Sequence, residues 1–208
     1  MSRRSAATLL ACLLAACATT SGNTYYSLSR AGENGVQSDG AGKESIAHAD
    51  DDRPAVELAP IRLPVAVDRS QIVLRRDDRV QVLETSRWSQ PLKYELGSAL
   101  ADDLSRILPG YQVYSVAHAL RRQPDIRIGL DIQRFDSERG VAATVEARWT
   151  IRDLRTQQTP ISGHALVREP VADGSLDALA GAHARALREI SKAISKSISE
   201  QIDQTIHP

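Results

Sequence analysis

The sequence has 208 residues, 42% of them apolar and 25% charged, with 26 basic side chains against 26 acidic ones. That length carries one domain with a substantial core, and the balanced charge gives no electrostatic reason to expect nucleic acid as a partner. Beyond residue 17 no run approaches the roughly 18 apolar residues of a membrane-spanning helix, and two cysteines cannot supply a disulfide framework.

The N-terminus reads as a targeting segment. Arg3 and Arg4 precede an apolar stretch over 6–14 that is too short to span a bilayer. Cys12 and Cys17 lie in this region without a second pair of ligands for zinc, and a disulfide between them would close too small a loop to stabilise much. Leu14-Ala15-Ala16-Cys17 resembles a bacterial lipobox. By that resemblance Cys17 becomes the mature N-terminus, acylated with chains such as palmitate, and residues 1–16 are removed. Ala18, where an Asp would suggest retention in the inner membrane, favours the outer membrane. Loss of Arg3 and Arg4 leaves a formal charge of −2. Two or more acyl chains, at roughly 0.8 kcal/mol per buried methylene, give stable attachment.

Next in the chain, 23–29 ("NTYYSLS") suggests a short strand, and the Gly-, Ser- and Asp-rich 30–54 reads as a flexible linker. Tyr25 and Tyr26 could sit at a membrane interface, complete a sheet edge or line an oligomer contact; the sheet is the preferred reading. The folded body begins at 55–64, and 71–75 with 80–84 reads as a β-hairpin around the turn "RDDR". Leu92, Leu96, Leu100, Leu104 and Leu108 then recur every four residues, which predicts a helix over about 91–108. Pro91 suits its first turn behind a Ser89 cap, and Pro109-Gly110 stops it. Strands are predicted at 111–116, 125–135, 141–153 and 161–169, with a hairpin turn at 137–140. A long amphipathic helix closes the chain over about 175–206, its stripe running through Leu176, Leu179, His183, Leu187, Ile190, Ile194, Ile198 and Ile202. Its polar face includes Arg185, Arg188, Lys192 and Lys196, and packing on the sheet explains it more simply than lying on a membrane. The inventory is α+β, an antiparallel-rich β-sheet packed with two long helices as an α/β sandwich.

The search for chemistry returns little. The five histidines stand singly, without metal-ligand or HExxH spacing, and His183 on an apolar stripe reads as a core residue. His164 lies in "SGH", which lacks the flanks of a nucleophile elbow. In 190–200, "ISKAISKSISE", no serine has a lysine three residues on. Asp50, Asp51 and Asp52 form a solvated acidic run. No catalytic residue, metal site or cofactor is therefore assigned, and the chain is not expected to be an enzyme.

Several segments together resemble the PqiC/YmbA-type lipoproteins, auxiliary components of ABC-type intermembrane lipid transport systems. They are the lipobox followed by "YYSL", "LPVAVDRSQIVLR" and "RWSQPL" within 61–92, then "LDIQRFD" and "VEARWTI" before the terminal helix. The resemblance implies three parts: a lipoprotein signal over 1–16, a lipid-anchored segment over 17–54, and a periplasmic domain over 55–208. It further implies an α/β sandwich, no catalysis, and a partner of the MCE-domain type with its inner-membrane components, in a route that maintains membrane integrity. Besides the lipidated Cys17, it points to Tyr25, Tyr26, Arg87, Trp88, Pro91 and Leu92 as fold-forming or partner residues; from its own neighbours, Arg87 is expected to pair with an acid such as Glu84 or Glu95. A regular terminal helix suits homo-oligomeric contact, but no motif sets a subunit number. The alternative is a general envelope-assembly or scaffold lipoprotein with no direct part in transport.

Overall fold

A computed structural model describes residues 22–29, 52–116, 123–156 and 159–206, with side chains to residue 200. Cys17 and nearly all of the predicted linker lie outside the described residues. Ten elements follow in chain order: β1 (Thr24–Tyr26), β2 (Ala55–Leu58), β3 (Gln71–Arg76), β4 (Arg79–Trp88), α1 (Leu92–Ile107), β5 (Gln112–Ser115), β6 (Ile126–Glu138), β7 (Ala142–Asp153), β8 (Ile161–Pro170) and α2 (Leu176–Ile206). The architecture is α+β, as the patterning predicts.

The strands divide between two sheets, where the sequence suggests one. A five-stranded sheet runs β5-β2-β6-β7-β8, and a three-stranded sheet runs β1-β4-β3. β6, β7 and β8 form an antiparallel meander, but β2 is parallel to both β5 and β6. The reason is connectivity: between β2 and β5 the chain detours through the β3–β4 hairpin and α1, and a crossover of that length brings the next strand back parallel. Where β2 ends, Arg62 continues beside β6, its N–H donating to Leu130 and its carbonyl accepting from Ile132.

Alternation places Ile126, Ile128, Leu130 and Ile132 on the core face of β6. A bulge between Ile132 and Arg134 then resets the phase, so that Phe135 and Ser137 point inward beyond it. The β6–β7 turn places Gly140 at φ +70°, a left-handed position where glycine carries no Cβ penalty. On the core face, all five leucines of the α1 stripe are buried. In α2, Leu179, His183, Leu187, Ile190, Ile194 and Ile198 are buried against the same core. The Ser175 hydroxyl caps α2 by accepting from the Ala178 N–H at 3.0 Å. Among the described residues no helix is long and apolar enough to cross a membrane.

Candidate functional site

The residues singled out near the N-terminus and in 87–92 meet at one junction. β1 lies parallel to the end of β4, pairing Tyr25 with Arg87 and Tyr26 with Trp88. The Ser89 N–H then donates to the Tyr26 carbonyl at 2.7 Å. Tyr25 is 60% exposed on this edge, while Tyr26 packs against the core.

Trp88 anchors the junction from below. Its ring is 2% exposed and stands edge-on to Phe135 of β6 and His183 of α2, each at 6.2 Å between centroids. Phe135 and His183 stack on each other at 4.0 Å with 7° between planes. His183 shares a 2.8 Å hydrogen bond between Nε2 and the Ser137 hydroxyl. Burial pushes its pKa down to about 3, against a weak opposing pull from Asp136, so the ring is neutral. This is a core histidine, as its place on the apolar stripe predicts.

One side chain that the sequence offered only as a partner for Arg87 ties the junction together. Glu95 is 1% exposed, yet sits in the first turns of α1 between Leu92 and Leu96. Its carboxylate accepts from the Leu28 N–H at 3.0 Å, from the Ser27 hydroxyl at 3.1 Å, and from the Ser89 hydroxyl. A buried carboxylate persists only where donors replace its water, and here two of the three come from the segment just after β1. The signal available in the sequence was an acid placed inside an otherwise apolar helical stripe.

Two expectations at this junction are corrected. Arg87 pairs with neither carboxylate: its Nε donates to the Glu84 backbone carbonyl at 3.3 Å, because the Glu95 oxygens are already taken up by Ser27, Leu28 and Ser89. Ser89 does not cap α1 either; its hydroxyl is committed to Glu95. Pro91 occupies the N-cap position with an extended ψ of 134° and no side-chain cap. Leu92, the first helical residue, is buried.

The opposite side of the same first turns lines a cavity of about 690 Å³. Its remaining walls are the end of β2, residues 59–63 and the end of β5. Leu58, Ile61, Leu63 and Val116 supply the apolar lining. Lys93 stands at the rim, 3.8 Å from Asp68 and 5.6 Å from the centre of the Tyr94 ring. Among the described residues no group of three potential metal ligands comes together. His164 on β8 is exposed and pairs with Glu146 across the strand at 3.0 Å.

Solved structures share the fold. A crystal structure of an uncharacterized protein superposes with a TM-score of 0.64 at 15% identity, covering 85% of this chain and 99% of its own. Protein XCC0632 from Xanthomonas campestris, of the family DUF330, gives 0.59 at 20% identity, covering 75% of this chain and 93% of its own. No curated protein matches the sequence. Residues 37–195 match the family described as the ABC-type transport auxiliary lipoprotein component, and the chain belongs to that family.

Proposed function

We propose that this chain is a lipid-anchored periplasmic subunit of an MCE/Pqi-type ABC intermembrane lipid transport system. In this reading it is attached to the outer membrane through Cys17 and contributes to membrane integrity without catalysing a reaction. Residues 1–16 are the signal, 17–54 the anchored segment and 55–208 the periplasmic domain. The observation that carries the reading is membership of the transport auxiliary family over residues 37–195, in a chain whose N-terminus ends in Leu14-Ala15-Ala16-Cys17.

The junction at β1 adds a geometric argument. A fully extended chain from Cys17 to Thr24 spans at most about 25 Å. From Thr24 onward the chain is committed to the β4 edge and to Glu95. An acylated Cys17 would therefore keep the folded body close to the bilayer, and any partner would have to approach it there. Crosslinking in intact cells tests the proposal: an MCE-domain protein should be captured, and Cys17→Ser should release the chain from the outer-membrane fraction. Capture of unrelated envelope proteins alone would favour the scaffold reading instead.

A further inference from the structure

We infer that the free edge of β8 receives an extended segment of a partner protein, apolar towards α2 and acidic on the opposite face, as one more strand of the five-stranded sheet. The inference stands on the sheet edge itself and holds whichever protein supplies the segment.

β8 ends the sheet order, so the backbone N–H and C=O groups of every second residue point away from β7. Among the described residues none of those outward groups in 161–169 is hydrogen-bonded within the chain; beyond them, the Pro170 carbonyl accepts from Arg185. Another extended backbone matches such a row in both spacing and polarity. Natural sheets blunt long edges with bulges, lysines, internal prolines or inward charges. β8 has ten residues and no lysine, and its proline is the last residue, Pro170. Its ladder with β7 runs without a register shift, whereas β3–β4 and β6–β7 each contain one. The single inward charge, Glu169, stands near the end of the strand and is held by Arg185 at 3.0 Å. The other edge strands are shorter, with six residues in β3, four in β5 and three in β1.

The side chains select the occupant. Val145, Ala147 and Ile151 of β7 are buried, but Val167, Ala165 and Ile161, their partners on β8, are only half-buried. One more strand would cover the rest of that row with apolar side chains of its own. On the opposite face β8 presents Ser162, His164, Leu166 and Arg168, with Leu166 56% exposed. His164 and Arg168 are already paired with Glu146 and Glu138. Arg148, beside His164 on β7, is exposed and makes no ion pair among the described residues. An added strand would lie about 10 Å from β7, within the combined reach of an arginine and a glutamate. A second copy paired about a two-fold axis keeps the same face open, and that face of β8 carries no carboxylate.

The test titrates the full-length protein in detergent micelles with a short peptide alternating valine and glutamate, and reads backbone amide exchange. Exchange at 161–169 should slow as the peptide saturates, while the β1 and β3 edges stay unchanged. A peptide with lysine in place of glutamate should protect several-fold less, and Arg148→Glu should reverse that order. Leu166→Pro, which removes a backbone donor from the strand, should abolish protection; if circular dichroism shows a disturbed fold, the Arg148→Glu reversal decides. No protection at 161–169, or equal protection by both peptides, overturns the inference. Protection that rises with protein concentration in the absence of peptide assigns the edge to a second copy and overturns it too. None of these readouts involves an MCE-domain protein, so the transport reading stands or falls separately, on its own crosslinking test.

Discussion

Where β6, β7 and β8 run side by side over 13, 12 and 10 residues, their inward side chains join one core, with α2 packed on β7 and β8. β1 meets β4 over three residues, leaves Tyr25 largely in water, and is seated by Tyr26, Leu28 and hydrogen bonds on a single buried carboxylate. The first region is stabilised by burial that involves the whole domain, and the second by a three-residue ladder, the Tyr26 and Leu28 side chains and a few polar contacts at one point. Cooperative units with so little apolar burial open locally at lower free energy than the global transition. The segment nearest the proposed membrane anchor is thus able to detach while the domain stays folded.

The largest expected effect erases this distinction. Trp88→Ala removes a buried ring that touches both β6 and α2 at the end of β4, and should cost about 3–5 kcal/mol, read as a single lowered denaturation midpoint. Acid acts on the main body through His183. Below about pH 6.5 the unfolded chain takes up a proton that the folded His183 refuses until about pH 3. Stability should therefore fall by up to about 1.4 kcal/mol per pH unit across that window and show no contribution from this group above it. His183→Leu should flatten that part of the stability profile, and an unchanged slope would refute the assignment.

Gly163→Ala probes the β7–β8 face. The new Cβ would lie 2.3 Å from the Trp149 ring, whose indole N–H donates to Ser197 of α2 at 3.3 Å. Displacing that ring should cost about 1–3 kcal/mol in thermal unfolding. The smallest global effect sharpens the comparison most. Glu95→Gln keeps the shape but weakens the acceptor, and should lower stability by only about 1 kcal/mol. Amide exchange at 24–29 should nevertheless quicken well before exchange in β6–β8 changes. Uniform acceleration would mean that the two regions are not separable.

Much of the main body was legible because its periodicities are long. The leucine stripe of α1, the alternation in β6 and the apolar face of α2 each repeat often enough to define an element and its buried side. The bulge in β6 was not: Gln133 and Arg134 side by side mark it only once pairing with Glu146 is known. Parallel pairing of β2 depends on a detour of more than fifty residues, which no local pattern encodes. At the junction, "RWSQPL" pointed to the right place through family resemblance, but the roles of Arg87 and Ser89 depended on where the Glu95 carboxylate turned. Glu95 was marked only as a partner for Arg87, because a lone acid in a helix has many meanings until neighbours from other segments arrive.

The parallel register of β1 on β4 also has a mechanical consequence. A pull on the chain upstream of Thr24, directed along the strand, loads the three paired residues and the Glu95 contacts together, in shear. The same pull directed across the sheet would peel them one after another and yield at lower force. On the anchoring proposed above, the attachment would be strongest with β1 pointing along the membrane normal.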